Sequence, residues 1–219
     1  MKILIIHAHP EPASFNTALK NKALDFFSAR GDEVKVSDLY EINFNPVGGK
    51  LDFQSLSRPD YFKYQTEQVN AWQHNLFSPD VQDEMDKVVW ADLIIFNFPL
   101  WWFSLPAILK GWVDRVFAMG FCYGAGKGVY NEGFFREKKA MLTITTGGPE
   151  TAYGPAGRNG DLDKILFHIN HGMLYFTGMS VIPPFVAYAP VRITAEQRAD
   201  YLLQYEQRLM NLEVLTPVY

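Results

Sequence analysis

Cysteine is nearly absent from the sequence, which contains Cys122 alone among 219 residues. One thiol cannot form an internal disulfide, so a disulfide framework and a cysteine-rich metal site are both excluded. Long apolar runs are also missing, because no stretch approaches the roughly 18 apolar residues that a membrane-spanning helix needs. The short apolar run at residues 2–7 is typical of a first strand and not of a signal peptide. We therefore expect a cytoplasmic protein with no membrane partner.

Strong charge of one sign is missing as well. The formal net charge is −4, without a long basic or acidic run, so the sequence has no electrostatic footprint for nucleic acid. It also lacks a G-x-G-x-x-G fingerprint and a Walker A motif, which argues against a dinucleotide Rossmann site and against nucleoside triphosphate chemistry. The chain is 48% hydrophobic, and its length suits one domain with a sizeable core.

Short apolar segments alternate with helical patterns along the chain. This alternation predicts a single α/β domain over residues 1–219, built on a doubly wound, five-stranded parallel sheet of order 2-1-3-4-5 with helices on both faces. Residues 43–78 interrupt the pattern as a long excursion, with a helix predicted at about 65–75. Pro183 and Pro184 place the fifth strand at an edge, because proline cannot donate to a ladder. A helix is predicted from Asp161 to Phe176.

Residues 92–117 predict a buried strand, a short aromatic loop and a helix, with Pro99 ending the strand. Ligands of open α/β sheets bind just beyond the carboxyl ends of the strands. The aromatic residues at this strand end therefore form the floor of a flat ligand site, or they fill a core or a subunit contact; spacing alone leaves both open.

Three unusual loops, at residues 9–16, 99–104 and 147–160, would meet at the switch between the first and third strands. The first loop precedes a helix N-terminus, which offers free N–H groups and a favourable dipole to an anion. His9 in that loop also fits a loop-capping role, which the residue taken alone favours. Gly147 and Gly148 fit either a close backbone approach to a ring or an ordinary strand-ending turn.

Several motifs resemble those of the NAD(P)H:quinone oxidoreductase (DT-diaphorase) family. They are His9 with Ser14-Phe15-Asn16, Asp38-Leu39-Tyr40, Asn43-Phe44-Asn45-Pro46, the run Phe98-Pro99-Leu100-x-Trp102-Phe103-x-x-Pro106-Ala107-Ile108-Leu109-Lys110-Gly111-Trp112, and Thr145-Thr146-Gly147-Gly148 with Tyr153. The resemblance implies a flavodoxin-like, flavin-dependent homodimer with its active site between the subunits. It implies two-electron, ping-pong hydride transfer from NADPH or NADH through flavin to a quinone.

The resemblance also assigns residues to the flavin, with FAD favoured over FMN because of the excursion. The phosphates would meet His9, Ser14, Phe15 and Asn16, the ring edge would meet Pro99, Leu100, Trp101, Trp102 and Phe103, and the pyrimidine end would meet Thr145, Thr146, Gly147 and Gly148. Lys63 and Arg198 are further cofactor contacts. Phe121, Tyr123 and Phe176 would form the substrate pocket wall, with core packing as the alternative.

The sequence departs from the family pattern at the catalytic position. Tyr153 is the predicted hydrogen-bond donor to the flavin, but Asn159 stands where the family has a histidine. Asparagine donates a hydrogen bond and cannot carry the positive charge of an imidazolium. We hypothesise that Arg158 supplies that charge. Trp101 replaces the usual glutamine, and Ala125 replaces the expected lid tyrosine.

Two other functional classes remain open at this stage. One is a regulatory flavoprotein subunit, such as the ancillary subunits of bacterial potassium efflux systems, and the other is a flavin reductase acting on azo or nitro compounds. No metal site is predicted: His168 and His171 lie three apart on a predicted helix, but no third ligand is evident.

Overall fold

The computed structural model describes all 219 residues and contains a five-stranded sheet of order β2-β1-β3-β4-β5. The strands are β1 (Lys2–His7), β2 (Glu33–Asp38), β3 (Leu93–Pro99), β4 (Lys139–Thr146) and β5 (Ser180–Tyr188), and the helices are α1 (Phe15–Arg30), α2 (Tyr64–His74), α3 (Pro79–Trp90), α4 (Ala107–Val116), α5 (Leu162–Ile169) and α6 (Ala195–Met210). All four strand pairings are parallel. The predicted sheet and its order are confirmed.

The helices cover both faces of the sheet, as predicted. On one face, α1 and α6 bury residues such as Leu19, Phe27 and Tyr205 against the strands. On the other face, α3, α4 and α5 build a larger core that includes Met85 and Trp112. The central strand β3 is buried over its whole length, which explains its continuous apolar run. None of the helices is both long and apolar enough to cross a membrane.

The helix ends follow the cap chemistry of the sequence. The Ser14 hydroxyl accepts a hydrogen bond from the Thr17 amide at the start of α1, and Gly31 ends that helix in the left-handed conformation with φ 87°. Thr194 and Gln197 form the predicted capping box at the start of α6.

Pro99 is the last residue of β3 and pairs in register with Thr145 of β4. The strand therefore ends at the proline as predicted, with Pro99 itself as its last residue. Proline has no amide hydrogen to donate to a neighbouring strand. The loss is tolerated because β1 ends at His7, opposite Asn97, so β1 has no residue beside Pro99 that would need this donor.

The edge position of β5 is confirmed, and its two prolines lie in an irregular stretch. Met141 pairs with Ile182 while Thr143 pairs with Phe185, so β5 has one extra residue where Pro183 and Pro184 fall. Beyond the sheet, the Val218 amide donates to the Val181 carbonyl oxygen at 2.8 Å, and the Val181 amide donates to the Tyr219 carbonyl oxygen at 3.0 Å. The chain end thus covers part of this edge.

The helix predicted from Asp161 to Phe176 is present over Leu162–Thr177 but changes type along its length. Its α-helical part, α5, ends at Ile169 and is followed by a π-helical turn at Asn170–Leu174 and a 3₁₀ turn that Gly178 terminates with φ 102°. A π turn inserts one residue into the helical repeat, and such turns recur at functional sites.

The excursion at residues 43–78 is ordered and packs on α4. Arg115 of α4 is buried and donates to Asp52 at 2.8 Å, to Asp80 at 2.8 Å and to the Asn45 carbonyl oxygen at 2.7 Å. A Cβ atom on Gly111 would lie only 2.1 Å from the Pro46 carbonyl oxygen, so glycine is required for this contact.

Candidate active site

The carboxyl ends of β1, β3 and β4 bring the three unusual loops together at one edge of the sheet. Between the first loop and α6 lies a cavity of about 400 Å³. It is lined by residues that the sequence assigned to cofactor phosphates and their surroundings: His9, Ser14, Phe15, Asn16, Thr145 and Arg198. The topology thus collects six of the predicted cofactor residues from three separate parts of the chain.

The His9 imidazole lines this cavity and accepts a hydrogen bond from its own loop. Its Nδ1 accepts the Glu11 amide at 3.0 Å, so the remaining proton of the neutral ring lies on Nε2. Burial lowers the pKa of His9 below its ordinary value, although the Glu11 carboxylate acts in the opposite direction. The ring of Trp101 covers it from the aromatic loop, with 6.0 Å between ring centroids.

Asn16 also lines the cavity. Its side chain is buried, and its Oδ1 accepts the Thr145 hydroxyl at 2.7 Å. Its Nδ2 is buried with no hydrogen-bond partner, which is a rare state because an unpaired buried donor costs about 1–3 kcal/mol. The first turn of α1 also carries no acidic residue. These groups fit an anionic, acceptor-rich ligand such as a nucleotide cofactor.

The aromatic loop forms a tight turn in which Ser104 N donates to Trp101 O at 3.0 Å. Its two central residues, Trp102 and Phe103, both adopt left-handed backbone with φ 50° and 59°. This conformation costs a non-glycine residue roughly 1–2 kcal/mol. Trp102 is 95% exposed and Phe103 is 44% exposed, so the strain presents two rings to solvent.

Pro99 and Leu100 contribute differently to the same loop. Both residues are buried, and Pro99 has no backbone N–H to donate. The Leu100 amide already donates to the Thr145 carbonyl at 2.8 Å. The sequence had assigned them to the flavin edge together with the exposed rings.

The loop after β4 brings Tyr153 and Asn159 side by side. A Cβ atom on Gly148 would lie 3.2 Å from Asn159 Nδ2 and 3.3 Å from the Tyr153 ring, so the lack of a side chain there makes room for both. The Thr146 hydroxyl donates to the Gly148 carbonyl at 2.8 Å and fixes the turn, while Gly147 has open space beside it. Arg158 is exposed on the same loop.

A second cavity, of about 490 Å³, lies between the excursion, α4 and the π turn. Tyr123 and Phe176 line it, as the sequence predicted for the substrate wall, with their ring centroids 5.7 Å apart. Sequence reasoning missed the other side chains that line it: Tyr64, Gln65, Gln68, Val113, Asp114, Phe117, Met173 and Thr177.

Twelve predicted site residues line neither cavity: Pro99, Leu100, Trp101, Trp102, Phe103, Thr146, Gly147, Gly148, Tyr153, Asn159, Phe121 and Lys63. Phe121 is fully buried and packs on Trp72 and Phe135, so its assignment to the pocket wall is corrected to core packing. Its place in a glycine-rich loop suggested exposure, but the loop folds back over the core. Lys63 is exposed at the start of α2, with its ammonium 5.4 Å from the centre of the Tyr61 ring.

The buried cluster around Arg115 was also missed by sequence reasoning. Asp52 accepts hydrogen bonds from both Arg115 and the Tyr64 hydroxyl, and Tyr64 forms part of the larger cavity. Burial, together with this carboxylate, raises the pKa of Tyr64 far above its ordinary value. An arginine inside the apolar stripe of a predicted helix was the signal that could have indicated the cluster.

His168 and His171 make separate contacts. His168 Nε2 lies 2.9 Å from Ser104 Oγ, whereas the His171 ring stacks on Phe167 with 4.7 Å between centroids. No group of three or more histidine, cysteine, aspartate or glutamate side chains is arranged to hold a metal ion.

Comparison with known proteins connects this geometry to a family. A family model described as a flavodoxin-like fold matches residues 1–209. A ribosyldihydronicotinamide dehydrogenase (quinone) from Pongo abelii is 43% identical over 218 residues, which cover 99% of this chain and 94% of that protein. An NAD(P)H dehydrogenase (quinone) 1 from Cavia porcellus is 42% identical over 219 residues, covering 100% of this chain and 79% of that protein.

A solved structure agrees with these relatives. A candidate quinone reductase from Klebsiella pneumoniae superposes with a TM-score of 0.96 at 43% identity, covering 100% of this chain and 87% of that one. The similarity therefore extends over the aromatic loop, the excursion and the turn after β4. The chain belongs to the flavodoxin-like family, in its group of NAD(P)H:quinone oxidoreductases.

Proposed function

We propose that the protein is a flavin-dependent NAD(P)H:quinone oxidoreductase. The observation that carries this proposal is the cavity at the start of α1, where His9 and Asn16, with its buried and unpartnered amide, lie beside a loop of exposed aromatic rings. Relatives at 42–43% identity over nearly the whole chain are named as quinone-dependent dehydrogenases, which supports the same reaction class.

The proposed cofactor is FAD, with FMN as the less favoured form. His9, Ser14, Phe15, Asn16 and Arg198 would hold the phosphates and ribityl chain. The backbone of residues 99–103 and of residues 145–148 would face the ring. We favour FAD over FMN because the excursion at residues 43–78 adds surface that would hold an adenine half.

A bound flavin supplies the hydride-accepting and hydride-donating chemistry that amino acid side chains lack. The protein's own part is to orient the reactants and to stabilise developing charge. We propose that the Tyr153 hydroxyl donates a hydrogen bond to the ring edge that becomes negative, and that the Asn159 amide donates beside it. Positive charge would come from Arg158 on the same loop.

We further propose a homodimer with the active site at the subunit interface. Trp102 and Phe103 expose large apolar surface that a second protomer would cover, and contiguous exposed apolar patches commonly mark such contacts. In this arrangement Tyr123 and Phe176 of one protomer would complete the pocket of the other. Nicotinamide donor and quinone would occupy that pocket in turn, which predicts ping-pong kinetics. The expected cytoplasmic location and the lack of a membrane or nucleic-acid partner stay predictions.

The proposal is tested by an anaerobic spectrum of the purified protein. Flavin bands that bleach on addition of NADPH or NADH and return on addition of a quinone would support cofactor, donor and reaction order together. Ribosyldihydronicotinamide belongs in the same donor series, because one relative is named for it. A colourless protein that takes up neither FAD nor FMN would overturn the proposal. A flavin that no donor bleaches would favour the regulatory subunit.

An acceptor series distinguishes the remaining alternative. The reduced protein is mixed with a benzoquinone, an azo dye and a nitroaromatic compound, and reoxidation is followed by stopped flow. Faster reoxidation by the quinone is expected. If the azo or nitro compound reoxidised the protein faster, the acceptor class would be reassigned.

A further inference from the structure

The turn at residues 101–104 requires a second restraint besides its own backbone bond. Two consecutive non-glycine residues, Trp102 and Phe103, are in the left-handed region, and both of their rings are substantially exposed. Such a backbone persists only when its surroundings over-determine it. Leu100 and Leu105 anchor the two ends in the core, but neither fixes the turn between them.

His168 supplies a contact at that point from a different element. Its Nδ1 lies 2.9 Å from the Ile165 carbonyl oxygen in α5, and a carbonyl can only accept, so Nδ1 carries a proton. In the neutral ring Nε2 is then an acceptor, and it lies 2.9 Å from Ser104 Oγ. The Ser104 hydroxyl therefore donates to His168, while the Ser104 amide closes the turn on Trp101 O at 3.0 Å.

We propose that His168 is a positioning residue that holds the aromatic loop in this strained, ligand-facing conformation through Ser104. The imidazole is itself oriented by the helix backbone, so the contact connects the turn to a rigid helix and not to another loop. His168 would act on flavin through the loop and not by touching it. The effect of His168 on flavin binding rests on the proposed function, whereas its effect on the conformation of the loop does not.

The test compares His168→Ala with the wild type in two measurements. The first is the rate of chymotryptic cleavage after residues 101–103 in the flavin-free protein, together with the urea midpoint. The second is the flavin dissociation constant from fluorescence titration. We expect faster loop cleavage at an unchanged urea midpoint, and flavin binding weakened by about threefold to tenfold, the range for one neutral hydrogen bond.

Three further variants make the result specific. His74→Ala is the matched control, because His74 Nδ1 also lies 2.9 Å from a helix carbonyl oxygen, that of Asn70, without reaching another element. It should leave both readouts unchanged. Ser104→Ala should reproduce the His168→Ala effect, and the double variant should add nothing to it. His168→Gln, which keeps an acceptor on a side chain of similar reach, should restore part of the loss.

The outcomes separate this proposal from the proposed function. Unchanged cleavage in His168→Ala would overturn the positioning role, as would additive effects in the double variant. Faster cleavage with unchanged flavin affinity would also overturn it, because the loop would then not matter to the ligand. A wild-type protein that binds no flavin would contradict the proposed function, and loop cleavage would still decide whether His168 holds the turn.

Discussion

At the residue scale, a substitution of Asn16 gives the most specific prediction about cofactor binding. Asn16→Asp keeps an acceptor for the Thr145 hydroxyl but replaces the unpartnered amide donor with a carboxylate. A negative charge in the cavity would repel phosphate, so flavin binding should weaken by at least about tenfold, the loss expected when a hydrogen bond to a charged group is removed. Fluorescence titration of the flavin-free protein measures this, and an unchanged dissociation constant would contradict the assignment.

His7 predicts how stability depends on pH. It is buried under the start of α1, where its ring contacts Asn97 Oδ1 at 2.7 Å and Thr17 Oγ1 at 3.2 Å. Burial lowers its pKa below 6.5, against the opposing effects of Asn97 and Asp38. The unfolded chain therefore takes up the proton first, so the stabilisation is complete above about pH 6.5 and is lost as the pH falls toward the folded-state pKa.

The measurement is the free energy of unfolding in urea between pH 7.5 and pH 5. It should decrease with falling pH, and the slope should be smaller in His7→Gln. His74→Gln, which changes an exposed histidine, is the control and should retain the wild-type slope. Since burial also lowers the pKa of His9, some slope should remain in His7→Gln.

Tyr153 is the residue on which the proposed chemistry depends. Tyr153→Phe should slow flavin reduction by roughly 10²-fold, the lower end for loss of one donor to developing negative charge. Tyr188→Phe is the control, because its ring lies 5.8 Å from that of Tyr153 and its hydroxyl is not assigned a role. Anaerobic stopped flow gives both rate constants. Equal rates in Tyr153→Phe and wild type would remove the hydroxyl from the mechanism.

At the scale of the elements, a buried ion pair between Arg115 and Asp52 connects the excursion at residues 43–78 to α4. Arg115→Ala would leave the fully buried Asp52 carboxylate without its cation, and breaking a buried pair this way costs about 3–5 kcal/mol. Lys110→Ala on the same helix removes an exposed pair with Asp114 and should cost no more than about 1 kcal/mol. Urea unfolding distinguishes the two, and similar losses would contradict a buried network.

Hydrophobic periodicity and turn chemistry predicted most of the elements, because strands such as β3 and helices such as α4 bury continuous or one-sided apolar patterns. The site loops were also predictable, since the topology fixes where strand ends meet. The rest depends on contacts between distant residues. No local pattern indicates that Arg115 reaches Asp52, that Ser104 meets His168, or that an extra residue enters the helix after Ile169. Phe121 was misassigned for the same reason.

At the scale of the whole molecule, the exposed rings predict association. Light scattering should give the mass of a dimer, and Trp102→Ser should shift the equilibrium toward the monomer at low concentration. Val214→Ser is the control, because Val214 is 78% exposed but lies in the chain after α6, away from the aromatic loop. A monomeric wild type, or equal dissociation of both variants, would contradict the proposed interface.

The attachment of the excursion to α4 has a consequence for protein engineering. Residues 43–78 look like an insert that could be excised to give a minimal version of the fold, since both ends lie on one side of the sheet. Excision would remove Asp52 and the Asn45 carbonyl, and would leave Arg115 with Asp80 as its one remaining acceptor. Gly111 would lose the backbone that lies against it. The shortened chain should therefore aggregate unless Arg115 is replaced by an apolar residue at the same time.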